Sequence, residues 1–235
     1  MVCFHGYGAD YQIGKIIKSS GLIGATIISF NFPDYGRIQN VTDPNMATFG
    51  SIQELLPAFY VLKTCFLDKG LDAVDLYGFS AGGGAIINLI AVLNTPMYDA
   101  ELEKIGMTDA DKKKLLNAIQ NGIVILDVPL KSIEELIAFR GSTPELEIIG
   151  KNYRNNHLRP IDSLDLLKGL SLNVILYFES PDEVLSNRED SNYIAKLRAA
   201  NSLGNTSVLI NSAGGHMGFH MPIWQLYSQM VRKRT

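Results

Sequence analysis

Three side chains suited to acyl transfer occur in this sequence in the order Ser80, Asp182, His216. A serine hydroxyl is a poor nucleophile at neutral pH. It needs a base to take its proton and a third group to hold that base in one tautomer. Ser80 is the apex of Leu76-Tyr77-Gly78-Phe79-Ser80-Ala81-Gly82-Gly83-Gly84, which reads as a strand end, a tight turn and a helix start. Gly78-Phe79-Ser80-Ala81-Gly82 fits the G-x-S-x-G nucleophile elbow, where strand and helix nearly touch and side chains at 78 or 82 would obstruct them. Alone, the pattern equally describes a Gly/Ser loop. What matters is whether base, acid and oxyanion donors stand in matching places.

Four histidines occur: His5, His157, His216 and His220. His216 follows a glycine pair just past the last expected strand, where the backbone can curl and bring the imidazole over the sheet edge. His157 and His220 lack such a context and read as surface or lid residues. The acid should follow a strand between serine and histidine. Asp182 is the candidate, in the loop Glu179-Ser180-Pro181-Asp182-Glu183-Val184; Glu183 and Glu179 are neighbours able to substitute for it. Asp127, at the end of the preceding strand, is a rival. A tetrahedral intermediate needs preorganised N–H donors. Ala81 N–H, directly after the serine, is one. The loop His5-Gly6-Tyr7-Gly8 offers a second from Tyr7, with Gly6 permitting close approach and His5 as a structural hydrogen-bonder.

The elements that must carry these residues alternate along the chain. Strands are expected at Val2–Phe4, Ala25–Phe30, Ala73–Tyr77, Ile123–Asp127, Asn173–Phe178 and Ser207–Ile210, with amphipathic helices between them. That alternation predicts an α/β fold, a three-layer α/β/α sandwich around a mostly parallel sheet of about six strands. Asp10 is placed to cap the first helix. Ser51 with Glu54, Thr108 with Asp111, and Ser132 with Glu135 have the spacing of capping boxes. A long loop is expected over 31–45. Residues 94–121 depart from simple alternation, and residues 128–169 form a second excursion with an apolar stripe at Ile133, Leu136 and Ile137.

Composition narrows the function classes. The 235 residues suit one domain with a full core, and the formal net charge of −3 implies no polyanion-binding surface. No apolar run is long enough to span a bilayer and no signal segment is seen, so a cytoplasmic setting is expected. The two cysteines, Cys3 and Cys65, read as reduced thiols. Asn40 and Asn205 fit the glycosylation pattern, which carries no meaning without export. No metal-ligand cluster or cofactor motif appears. Arg232, Lys233 and Arg234 complement a helix dipole.

The His5-Gly6 loop, the Gly78–Gly82 elbow, the Asp182 loop and the Gly215-His216 turn, in that order, make the chain resemble an α/β-hydrolase fold serine hydrolase of the esterase or lipase kind. The resemblance covers nearly the whole chain. It implies α/β-hydrolase topology over a single domain of residues 1–235, with a helical insertion around 94–121 and a lid-like insertion around 128–169. It also implies cleavage of a carboxylic ester or thioester through a Ser-His-Asp triad, without cofactor or metal. The substrate would be a small molecule, an acyl ester with an apolar part facing Leu130, Ile133, Leu136, Ile137 and Phe139. A peptidase or amidase would use the same triad, and a non-catalytic binding protein can share the fold. The chain departs from the family in having no strand before Val2, so its sheet is minimal or its start has been lost. It also has Glu179 where a glycine is common.

Overall fold

The computed structural model describes residues 1–21, 24–32, 50–156, 158–180, 182–185, 190–212, 215–217 and 220–233. His157, Pro181, Gly214, Gly218, Phe219, Arg234 and the expected loop from Pro33 onward, Asn40 included, lie outside the described residues. Among the described residues six strands form one sheet: β1 (Val2–Phe4), β2 (Ile28–Ser29), β3 (Leu76–Phe79), β4 (Val124–Asp127), β5 (Asn173–Glu179) and β6 (Asn205–Asn211). The order is β2-β1-β3-β4-β5-β6 and every pairing is parallel.

The strand sequences explain why the sheet is covered on both faces. Alternate side chains point to opposite sides, and in β3, β4 and β5 both sets are apolar. Leu76, Val124, Leu126, Val174, Leu176 and Phe178 join one core. Tyr77, Phe79, Ile125, Ile175 and Tyr177 join the other. The second core is closed by Ile17 of α1 (Gln12–Ser19) and by Ile223, Trp224 and Tyr227 of α10 (Met221–Arg232). The first is closed by α2 (Ile52–Leu62), α3 (Ala81–Leu93), α4 (Asp99–Lys104), α5 (Asp109–Gln120) and α9 (Asp190–Ala200). All residues of α3 are buried, as its continuous apolar sequence requires. Among the described residues of 128–169 lie α6 (Ile133–Arg140), α7 (Pro144–Asn156) and α8 (Pro160–Ser163).

Several local expectations shift. The second strand shrinks from 25–30 to Ile28–Ser29 because Ala25–Ile27 lies past the start of β1, and the Met1 amine donating to Thr26 O reaches only that far. The third moves to Leu76–Phe79, since β1 and β4 pair with it right up to the elbow. The sixth extends to Asn205–Asn211 along a longer β5. Ser51 does not cap α2; Glu54 instead accepts from Gly50 N–H at 2.7 Å. Thr108 and Asp111 close a full capping box. Ser132 accepts from Glu135 N–H at 3.3 Å, and its hydroxyl donates to Glu134 at 3.0 Å. Asp10 accepts from Gln12 N–H at 2.9 Å at the start of α1. Among the described residues no helix is long and apolar enough to cross a membrane.

Candidate active site

The elbow brings β3 and α3 into backbone contact. A Cβ at Gly78 would sit 2.6 Å from Gly82 O, and one at Gly82 would sit 2.3 Å from Phe4 O, so neither position tolerates a side chain. Between them Ser80 adopts φ 52° and ψ −118°, a conformation that costs a non-glycine residue about 1–3 kcal/mol. Its backbone is held on both sides. Ser80 N–H donates to Asp127 O at 2.9 Å, and Ser80 O accepts from Leu130 N–H at 2.9 Å and Gly83 N–H at 3.0 Å. The result is a hydroxyl raised at the C-terminal edge of the central strand.

Asp182, just past β5, and His216, just past β6, converge on that hydroxyl. His216 Nε2 lies 3.1 Å from Ser80 Oγ, and His216 Nδ1 lies 2.8 Å from Asp182 Oδ2. A carboxylate can only accept, so Nδ1 carries the proton and Nε2 is left to receive the one from Ser80. Asp182 is itself fixed, because Oδ1 accepts from Val184 and Leu185 N–H, each at 2.7 Å. Burial pushes the Asp182 carboxyl up. The hydrogen bonds from His216, Leu185 and Val184 outweigh burial and hold it below the ordinary carboxylate value. Glu183, on the outside of the turn, grips His216 N–H with both carboxylate oxygens at 2.9 and 3.0 Å.

The loop after β1 packs directly against the elbow. A Cβ at Gly6 would lie 2.9 Å from the Phe79 ring and 3.1 Å from Ser80 Cβ. His5 is wholly buried; Nδ1 donates to Gly6 O at 2.8 Å and Nε2 accepts from Phe32 N–H at 3.1 Å. Burial pushes its imidazole below the ordinary value, which suits a neutral ring with both nitrogens spoken for. Tyr7 and Gly8 line a cavity beside Ser80 and Ala81. Ala81 is the first residue of α3, so its N–H has no acceptor within the helix and lies at the positive end of the dipole.

That cavity has a volume of about 440 Å³. Leu130, Ile133, Leu136, Leu146 and Ile149 wall it, with Arg140 and Thr143 among its few polar residues. Ile137 packs onto the core and Phe139 is more than half exposed, so only part of the expected apolar stripe faces the cavity.

No protein-family model matches this sequence, and no curated protein matches it. Solved structures do. A lipase/esterase from Lactobacillus plantarum aligns over 99% of this chain and 84% of its own at a TM-score of 0.61 and 17% identity. Esterase B from Lactobacillus rhamnosis aligns over 99% and 74% at 0.62 and 18%. Est1E from Butyrivibrio proteoclasticus, solved with ferulic acid bound, aligns over 99% and 86% at 0.59 and 14%. The chain has the α/β-hydrolase fold.

On this α/β-hydrolase scaffold the other carboxylates considered for the acid go elsewhere. Asp127 accepts from Tyr77 OH at 2.7 Å and meets His220 Nδ1 at 2.5 Å. Glu179 accepts from Tyr177 OH and from Asn211 Nδ2. His220 is therefore no surface or lid residue. It is buried, its ring stacks on Tyr177 at 4.5 Å, and its Nε2 lies 3.0 Å from Gly215 O. Reasoning from sequence missed this second histidine–aspartate pair. The available signal is Asp127 at a strand end together with a histidine four residues after His216. Val128, with φ 41°, is a second strained residue beside the elbow that no pattern announced.

Proposed function

We propose that the chain is a serine hydrolase that cleaves a carboxylic ester or thioester through an acyl-enzyme. The observation that carries this reading is the continuous relay from Ser80 Oγ to His216 at 3.1 Å and on to Asp182 at 2.8 Å, opening into an apolar cavity. Ser80 attacks the substrate carbonyl while His216 Nε2 takes its proton. Asp182 holds the imidazole in the Nδ1–H tautomer and stabilises the imidazolium. The backbone N–H groups of Ala81 and Tyr7 hold the oxyanion. His216 then returns the proton to the leaving oxygen or sulfur, and water repeats the sequence on the acyl-enzyme. The reading needs no cofactor or metal.

The apolar walls of Leu130, Ile133 and Leu136 support a substrate with an acyl chain or aromatic acyl group. Residues 128–169 act in this reading as a lid on a single domain, and 94–121 as a helical insertion. The esterase and lipase names of the structural neighbours support the same choice. The two free cysteines suit a reducing, cytoplasmic setting. A peptidase using the same triad would need a site for a free terminus or a chosen side chain. A purely binding role leaves the strain at Ser80 without purpose.

A panel of p-nitrophenyl esters of increasing acyl length, run beside the matching anilides, tests the reading. Turnover of esters over anilides, with a chain-length optimum, is expected. Anilide cleavage matching ester cleavage would favour an amidase, and no turnover of either would overturn the proposal.

A further inference from the structure

The peptide unit between Gly215 and His216 is gripped at both ends. Its N–H donates to Glu183. Its C=O faces His220 Nε2 at 3.0 Å. The two groups of a trans peptide point in opposite directions, so the two grips oppose each other across one plane. Rotation of that plane would swing the His216 imidazole relative to Ser80.

The state of His220 follows from its partners. Gly215 O is an obligate acceptor, so Nε2 carries a proton. Nδ1 faces Asp127 Oδ1 at 2.5 Å, while Asp127 Oδ2 is occupied by the Tyr77 hydroxyl. Glu179 Oε1 lies 3.5 Å from Nε2 and also takes the Tyr177 and Asn211 bonds. Both carboxylates are buried, and among the described residues neither has a lysine or arginine partner. Burying a carboxylate without a countercharge is costly. An imidazolium at His220 supplies one positive charge between them.

We propose that His220, as an imidazolium, is a positioning residue that fixes the Gly215–His216 peptide and thereby the aim of His216 at Ser80. The proposal rests on the reading of Ser80, His216 and Asp182 as catalytic. A neutral ring has one N–H for two obligate acceptors, Asp127 and Gly215 O, so loss of the proton must release one of them. Burial pushes the His220 imidazole down. The hydrogen bond and charge of Asp127, then Gly215 O and Glu179, leave it above the ordinary value of about 6.5. Below that raised value the clamp is closed, and above it the clamp loosens. Activity therefore has an alkaline limb set by His220.

The test pairs kinetics with spectroscopy. In full-length protein labelled with ¹⁵N-histidine, His220 should show both ring nitrogens protonated at pH 7. In kinetics on a p-nitrophenyl ester, His220→Gln should lower kcat about ten- to a hundredfold with KM unchanged and abolish the alkaline limb. Asp127→Asn should move that limb to lower pH, which keeps the test sharp if the Gln variant folds poorly. A neutral His220 at pH 7, or an alkaline limb unchanged in both variants, would overturn the clamp. Absence of any turnover would instead overturn the hydrolase reading, and the ¹⁵N signal would still decide the state of His220.

Discussion

Two histidines four residues apart each meet a buried aspartate, yet their surroundings leave them very different chemistry. His216 spends one nitrogen on Asp182 and keeps the other for Ser80, whose hydroxyl both gives and takes a proton. His220 spends both nitrogens on fixed acceptors, Asp127 and Gly215 O, under a stacked Tyr177. The first ring borders the 440 Å³ cavity, whereas the second does not line it. A carboxylate partner therefore does not by itself make a histidine a general base. The distinguishing feature is an unspent nitrogen facing a group that can change its protonation beside space for a substrate.

The largest expected effect separates the two aspartates. Asp182→Asn should lower kcat by roughly 10⁴-fold, because the amide no longer holds the Nδ1–H tautomer. Asp127→Asn should cost far less and act mainly on the alkaline side of the pH profile. Steady-state kinetics of both variants on one ester checks the contrast. If Asp127→Asn costs as much as Asp182→Asn, the two pairs are not functionally distinct.

A smaller effect should appear in stability. The folded-state value of His220 is raised, so its ion pair contributes fully below the unfolded value of about 6.5 and is lost as pH rises through the raised one. The Tm of the wild type should therefore fall by a few degrees across that alkaline window, and His220→Gln should flatten that part of the curve. A wild-type Tm that does not respond there would remove the charge from His220.

The contrast also marks what could be read from the chain alone. The elbow was legible because Gly78, Ser80 and Gly82 are neighbours in sequence and their steric requirement is local. Asp182 and His216 were legible as candidates because each follows a strand that alternation had already placed. The His220–Asp127 pair was not, since it depends on where His220 meets the end of β4. Periodicity does not encode such a meeting. Strand ends misled for the same reason: β2 and β6 take their lengths from β1 and β5, not from their own residues. Ser51 had the spacing of a cap, yet Glu54 turned to Gly50 instead.

The reactivity of Ser80 itself is the most direct test. Intact-mass measurement after treatment with a fluorophosphonate should show one adduct on the wild type and none on Ser80→Ala, with labelling slowed in His216→Ala. Equal labelling of the wild type and Ser80→Ala would contradict the assignment of Ser80 as the nucleophile and the mechanism built on it.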